Sequence, residues 1–304
     1  MKVRILPPLL ALLLGCSLLV QPAFAQQTNL GPTLSKVAET GLIYLAVREA
    51  ALPFSYVLED RETPAGYSWD ICRHVVKAVE AKLGKTIKVV PVVASSSGRM
   101  MLVKVGIADI ECGATVNTLG HQHQVAFSNT FYVSEVGVMV RASSGVKVAD
   151  DLNGKRVVTT AGTNGERLVR QLAIQRNMPV GHVFGLNNRE AMTLLERGDA
   201  DAFVNDSAVL LNARANAKNP EDYVLLPRIL SVLEPYGLVV RNDDPELKRF
   251  VDEVLVQLFK SGEIEQIYDR WFNQPIPPKQ HVLKLPLSDV NKASFANPND
   301  KPAN

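Results

Sequence analysis

Apolar positions along the chain switch between two spacings, and the switches outline strands and helices in turn. Leu42-Ile43-Tyr44-Leu45-Ala46-Val47 is a short continuous apolar run of the kind that fills a buried strand. Residues 70–83 then carry Ile71, Val75, Val76 and Val79 three and four apart, which predicts a helix with one apolar face. The alternation continues, and it predicts an α/β fold with a parallel sheet as its default. The pattern also repeats. Gly106-Ile107-Ala108-Asp109 follows a helical stretch at 99–105, and Gly198-Asp199-Ala200-Asp201 follows another at 189–197, each glycine placed to stop its helix ahead of a strand. Gly41-Leu42-Ile43-Tyr44-Leu45-Ala46-Val47 has its counterpart in Gly154-Lys155-Arg156-Val157-Val158-Thr159-Thr160, so two similar α/β lobes are expected.

Two further segments match each other, Gly137-Val138-Met139-Val140-Arg141 and Gly237-Leu238-Val239-Val240-Arg241, and they bracket the second lobe. They are expected to be adjacent crossover strands that form a hinge, with lobe one at 34–136 plus 237–304 and lobe two at 137–236. The returning chain adds helices that begin at Asp244-Pro245-Glu246, a strong start signal, and at Gly262. The tail at 275–304 contains Pro275-Ile276-Pro277-Pro278 and is expected to wrap the surface or fray rather than continue a helix.

The first 25 residues stand apart. Lys2 and Arg4 precede an apolar stretch at 5–20 and then Ala23-Phe24-Ala25, the form of a secretory signal peptide cleaved after Ala25. Pro7 and Pro8 interrupt the stretch and no second long apolar run follows, which argues against a permanent transmembrane helix. Leu13-Leu14-Gly15-Cys16 loosely resembles a lipoprotein box, a second reading that would put a lipid on Cys16. Of the three cysteines, cleavage at Ala25 leaves Cys72 and Cys112 in an oxidising compartment, where the pair permits one disulfide or remains as two small buried thiols. The formal charge of +2 is that of Lys2 and Arg4, so the exported chain is formally neutral and nothing steers it to a polyanion or nucleic acid. With 46% apolar residues in 304, there is ample material for two cored domains.

Chemistry is expected between the lobes, where strand ends and helix N-termini face each other. Ser95-Ser96-Ser97-Gly98-Arg99 places a serine cap and exposed N–H groups beside an arginine in a first helical turn, where the dipole disfavours a cation. An anionic ligand resolves that conflict; an ordinary exposed arginine is the plainer alternative. Ala161-Gly162-Thr163-Asn164-Gly165-Glu166 has capping-box spacing at Thr163 and Glu166 and offers N–H groups, a hydroxyl and an amide to a carboxylate. Asp206 follows the strand Ala202-Phe203-Val204, where a carboxylate either holds an ammonium or caps the next helix. Arg48 ends the first strand and either reaches into the cleft or lies on the surface.

At these residues the chain resembles the periplasmic amino-acid-binding proteins of ABC importers, solute-binding protein family 3, and within them the glutamate/aspartate-binding proteins. The supporting strings are Arg48 with Pro53-Phe54-Ser55-Tyr56, Gly66-Tyr67-Ser68-Trp69-Asp70-Ile71-Cys72, Glu111-Cys112-Gly113 and Val125-Ala126-Phe127-Ser128. Trp271-Phe272-Asn273-Gln274-Pro275-Ile276-Pro277-Pro278-Lys279 and Pro298-Asn299-Asp300-Lys301 extend the likeness through the tail. The resemblance implies a two-lobed type II fold, a monomer without cofactor, an amino-acid ligand and a membrane permease as partner. It further implies that Arg99 takes the α-carboxylate, aided by Ser96 and Thr163, that Asp206 takes the α-amino group, and that Arg48 serves an acidic side chain. The subgroup usually has Ser and Thr where this chain has Ala114-Thr115-Val116, Thr at Asn164, His at Asn188 and Arg at His121. Backbone groups at Ala114 still serve a ligand, so these departures bear on the preference for glutamate or aspartate rather than on amino-acid binding.

The same fold also resembles periplasmic dehydratases acting on prephenate or arogenate, for which Glu111 and Asp206 are the candidate acids or bases. Other classes find little support. No phosphate loop, dinucleotide fingerprint, HExxH, Gly-x-Ser-x-Gly elbow or CxxC pair is present, and His121-Gln122-His123 reads as a solvated loop ahead of a metal site.

Overall fold

The computed structural model describes Met1, residues 30–226 and residues 233–303. The expected signal peptide, its Ala25 site and Cys16 lie outside the described residues. Among the described residues no helix is long and apolar enough to cross a membrane.

Two five-strand paths organise the chain. The first runs Lys88–Ala94, Leu42–Arg48, Ile110–Glu111, Val239–Val240, Ala126–Phe127. The second runs Gly181–Gly185, Arg156–Thr160, Ala202–Asp206, Tyr132–Arg141, Tyr223–Leu226, with Leu233–Tyr236 pairing beside it. In each, three strands are parallel, as expected. Val239–Val240 and Tyr132–Arg141 run antiparallel to their neighbours, so both sheets are mixed. The cause is the direction of travel. Leu42–Arg48, Arg156–Thr160 and Ala202–Asp206 end at the cleft, whereas a strand entering from the other lobe starts there and must run the opposite way.

The adjacent crossovers lie slightly ahead of the two matched segments. Tyr132 pairs with Tyr236, Val133 with Pro235, Ser134 with Glu234 and Glu135 with Leu233. From Val136 onward the same strand pairs with Ala202–Asp206. The matched segments themselves do not pair: residues 137–141 continue into the second sheet, whereas Val239–Val240 joins the first. Their likeness reflects one task done in opposite directions, carrying the chain from the cleft into the middle of a sheet.

Each sheet lies between helices. Tyr67–Leu83, which starts three residues before the periodicity does, buries Ile71, Cys72, Val75, Val76 and Val79 and packs with Pro245–Ser261 and Glu263–Phe272. In the second sheet, Val138 and Val140 meet Leu168 and Val169 of Asn164–Gln175, while Met139 between them meets Ala191, Leu195 and Leu210 on the other face, the two-residue alternation of a strand. Asp244 caps Pro245–Ser261 by accepting from Leu247 N at 3.0 Å, and Gly198 ends Asn188–Arg197 in the left-handed region. Cys72 and Cys112 are joined in a disulfide that ties the Tyr67–Leu83 helix to the end of Ile110–Glu111.

The tail departs from expectation. It forms a helix, Asp289–Ala296, capped by Ser288 and anchored by Phe295, whose ring stacks on Phe259 with centroids 5.0 Å apart. Asn291 is buried against the crossover, where its Oδ1 accepts from Val133 N at 2.7 Å and its Nδ2 donates to Val133 O at 3.1 Å. The prolines stop one helix, but a new cap eleven residues after Pro277 starts another.

Candidate functional site

The cleft is built where strands end. Arg48 closes Leu42–Arg48 and pairs in register with Ala94, which brings Ser95 to Gly98 alongside it. Glu111 closes Ile110–Glu111, Thr160 closes Arg156–Thr160, and Asp206 closes Ala202–Asp206. Ligands of open α/β sheets bind outside these carboxyl ends, because the loops and helix N-termini there carry unpaired backbone groups.

On the first lobe the charged groups are almost wholly buried. Arg48 is 4% exposed, Arg99 2% and Glu111 0%. Arg48 Nη2 donates to Ser96 Oγ, and Arg99 Nη1 donates to the Ser96 carbonyl. Arg99 Nε donates to Thr115 Oγ1 at 2.5 Å. Burial, and then the neighbouring Arg48 charge, push the Arg99 guanidinium down to about 10, so it stays cationic at neutral pH. Burial raises the Glu111 carboxyl while Arg99 and Arg48 pull against it. Neither Glu111 oxygen has a hydrogen bond, and Arg48 Nε has none either. Gly113 is what lets Glu111 lie there, since a Cβ at that position would sit 1.8 Å from Glu111 Oε1.

The expected caps take other partners. Gly98, not a serine, is the N-cap of Arg99–Lys104, and Ser95 Oγ supports it by accepting from Gly98 N at 3.1 Å. Thr163 makes no capping box. Its hydroxyl donates to Thr160 O at 2.7 Å, and Glu166 accepts instead from Gly162 N at 3.3 Å. Asp206 precedes Ser207–Asn216 without making a side-chain cap, so its carboxylate is not spent on the helix.

A small cavity of about 20 Å³ collects the groups that face the cleft. Its walls include Arg99 and Ala114 from the first lobe and Thr163, Asn164 and Asp206 from the second, five of the eight residues singled out from sequence. Arg48 and Ser96 stand behind Arg99. Asn188 is engaged elsewhere: its Oδ1 accepts from Thr160 Oγ1 at 2.6 Å and Asn205 Nδ2 at 2.9 Å, and its Nδ2 donates across the cleft to Ala50 O at 3.1 Å. Arg99 Nη1 crosses in the other direction, to Gly162 O at 3.1 Å. The lobes are therefore shut together.

Sequence reasoning missed Glu234 and Asn205. Glu234, 2% exposed, lies on the crossover strand and lines the cavity beside Asp206. Its signal was an acid inside the otherwise apolar run Leu233-Glu234-Pro235-Tyr236. Asn164 Nδ2 donates to Glu234 Oε1. Burial, and then the Asp206 charge, push the Glu234 carboxyl up to about 9. Asp206 is raised by burial as well, beside Tyr236, Glu234 and Ser134, and its Oδ1 is buried without a hydrogen bond. His121 Nδ1 is 2.8 Å from Val116 O, and among the described residues no group of three or more His, Cys, Asp or Glu is placed to hold a metal ion.

Arg99 on one wall, with Arg48 behind it, and Asp206 and Glu234 on the other form an arrangement that suits a small zwitterion. The family model of bacterial extracellular solute-binding proteins, family 3, matches residues 43–274. An L-glutamate/L-aspartate-binding protein of Pseudomonas aeruginosa is 40% identical over 301 residues, covering 99% of each chain. A glutamate/aspartate import solute-binding protein of Salmonella typhimurium is 38% identical over 277 residues, covering 90% of each. Among solved structures, a mutant of ArgBP from T. maritima superposes with a TM-score of 0.67 at 26% identity, covering 79% of this chain and 99% of that one.

Proposed function

The chain belongs to family 3 of the bacterial extracellular solute-binding proteins, and on that premise we propose that it captures glutamate and aspartate for an amino-acid ABC importer. The observation that carries this reading is the placement of Arg99 and Asp206, from different lobes, on one cavity. An α-amino acid presents a carboxylate and an ammonium a few ångströms apart, and these two groups meet both. Arg48 stands next to Arg99 with its Nε unpartnered, a second cation for a side-chain carboxylate. Ala114, Thr163 and Asn164 line the same cavity, although the Asn164 amide is engaged by Glu234 and Arg167 and the Thr163 hydroxyl donates to Thr160 O.

The remaining features form one account. A signal peptide delivers the chain to the periplasm, where it works as a monomer, closes on its ligand about the crossovers at 132–135 and 233–236, and presents the closed form to a membrane permease. Lobe one comprises 34–136 with 237–304, and lobe two 137–236. A dehydratase role is not favoured, because the relatives are binding proteins.

Thermal denaturation of the purified chain against a panel of amino acids tests the reading. L-glutamate and L-aspartate should give the largest stabilisation, about 2.7 kcal/mol at about 100 times the dissociation constant. A panel in which no amino acid shifts the transition rejects it, and a panel led by neutral amino acids removes the acidic preference.

A further inference from the structure

The ligand's ammonium is assigned to Asp206, yet the structure places a second acid at the same point. Glu234 comes from the crossover strand and Asp206 from a strand end of lobe two, and both line the same cavity of about 20 Å³, where Glu234 is almost wholly shielded from water and Asp206 Oδ1 is buried without a hydrogen bond. The surroundings offer them little positive charge. Arg167 spends its Nε on Asn164 Oδ1 at 2.6 Å, and it is the Asn164 amide, not the guanidinium, that reaches Glu234. Arg48 and Arg99 act on Asp206 through space from the opposite wall. Tyr132, Tyr236 and Ser134 are the other groups around the pair, and Glu135, next along the crossover, is exposed. Two carboxylates lining one cavity of that size do not both ionise readily without a cation between them.

We propose that Asp206 and Glu234 hold one proton between them in the ligand-free protein and release it when the ammonium of the amino acid enters, so that ligand binding is coupled to proton release. The proposal rests on the amino-acid reading above. Charge balances in the exchange: the ligand's ammonium brings one positive charge to the carboxyl pair and the released proton carries one away to solvent, so the pair with the ammonium bound has the same net charge as the singly protonated pair before it. Glu234 thereby becomes a second specificity group for the amino terminus, which favours ligands that bring a full positive charge. The raised Glu234 carboxyl agrees with a proton kept at neutral pH until binding removes it.

Titration calorimetry of the full chain with L-glutamate, repeated near neutral pH in buffers of different ionisation enthalpy, tests the coupling. Release of roughly half to one proton per ligand is expected, with affinity rising by up to about tenfold per pH unit from about pH 6 to about pH 8. Glu234→Gln should bind with that release largely abolished. Binding without proton exchange in the wild type overturns the proposal and leaves the amino-acid reading standing. Absence of any binding overturns that reading instead. A Glu234→Gln variant that binds and still releases the proton assigns it to another group and overturns the proposal as well. Should the variant not fold, the wild-type titration decides alone.

Discussion

Arg48 and Arg99 are neighbours that meet Ser96 through different atoms, and they are expected to fail differently. Arg99→Met removes a charge-assisted partner of the carboxylate every amino acid carries, which should weaken all ligands by about 2 to 5 kcal/mol. Arg48→Met should weaken glutamate and aspartate far more than glutamine and asparagine, because only an acidic side chain would be buried without a counter-charge. Calorimetry of both variants against acidic and neutral ligands checks the contrast, and equal losses at Arg48 would withdraw its assignment. Glu234 makes a prediction about stability. Its folded-state value, about 9, lies above the ordinary carboxyl range, so the folded chain binds the extra proton and stability falls as pH rises from about 4.5 to about 9. Glu234→Gln should therefore stabilise the ligand-free protein by order of 2 kcal/mol at neutral pH and flatten that slope, as read by urea denaturation across pH. Arg99, Thr163 and Asp206 were legible because each ends a strand or opens a helix. Glu234 was not, because an acid in an apolar run declares burial without naming its partner.

At the level of elements, the helix period was legible where one face is buried, as in Tyr67–Leu83, and Leu42–Arg48 was legible as a continuous apolar run, buried on both faces from Leu45 onward. What escaped depends on contacts distant in sequence. The Asp289–Ala296 helix has a clear Ser288 cap, but its reason to be ordered is Asn291 against Val133, 158 residues away. Asn291→Ala leaves both Val133 backbone groups without these partners and should cost about 1 to 3 kcal/mol, with hydrogen exchange quickening along the crossover. The capping box at Thr163 failed for a related reason, since Thr160 O competes successfully for the hydroxyl. The disulfide acts on a loop of the site itself, as Cys112 stands between Glu111 and Gly113. Replacing both cysteines by Ser should cost about 2 to 4 kcal/mol by urea denaturation. Intact-mass analysis after alkylation without reductant should find no free thiol in the exported protein.

For the whole molecule, the decisive fact is that the cavity is too small for its cargo. About 20 Å³ holds a single water, so an amino acid enters only when the lobes part. Scattering should then show compaction when ligand is added to the open protein, because a ligand touching both lobes favours the shut form. Gly162 tests the same motion by substitution. Its φ is +73°, and a Cβ there would lie 2.7 Å from Ser97 Cα on the opposite lobe. Alanine therefore suffers two separate effects. Left-handed strain, about 1 to 2 kcal/mol, is present with the lobes open or shut and leaves binding alone. The collision with Ser97 arises only on closure and acts against the liganded state. Gly154→Ala isolates the first effect, because Gly154 has a φ of +71° with nothing within 4 Å of its would-be Cβ. Gly162→Ala should weaken L-glutamate by about tenfold or more, equivalent to about 1.4 kcal/mol, and blunt the compaction, while Gly154→Ala lowers thermal stability but keeps wild-type affinity. Equal affinities for the two variants would mean that the lobes need not meet at Gly162 and Ser97 to hold the ligand, and closure at that contact would be withdrawn.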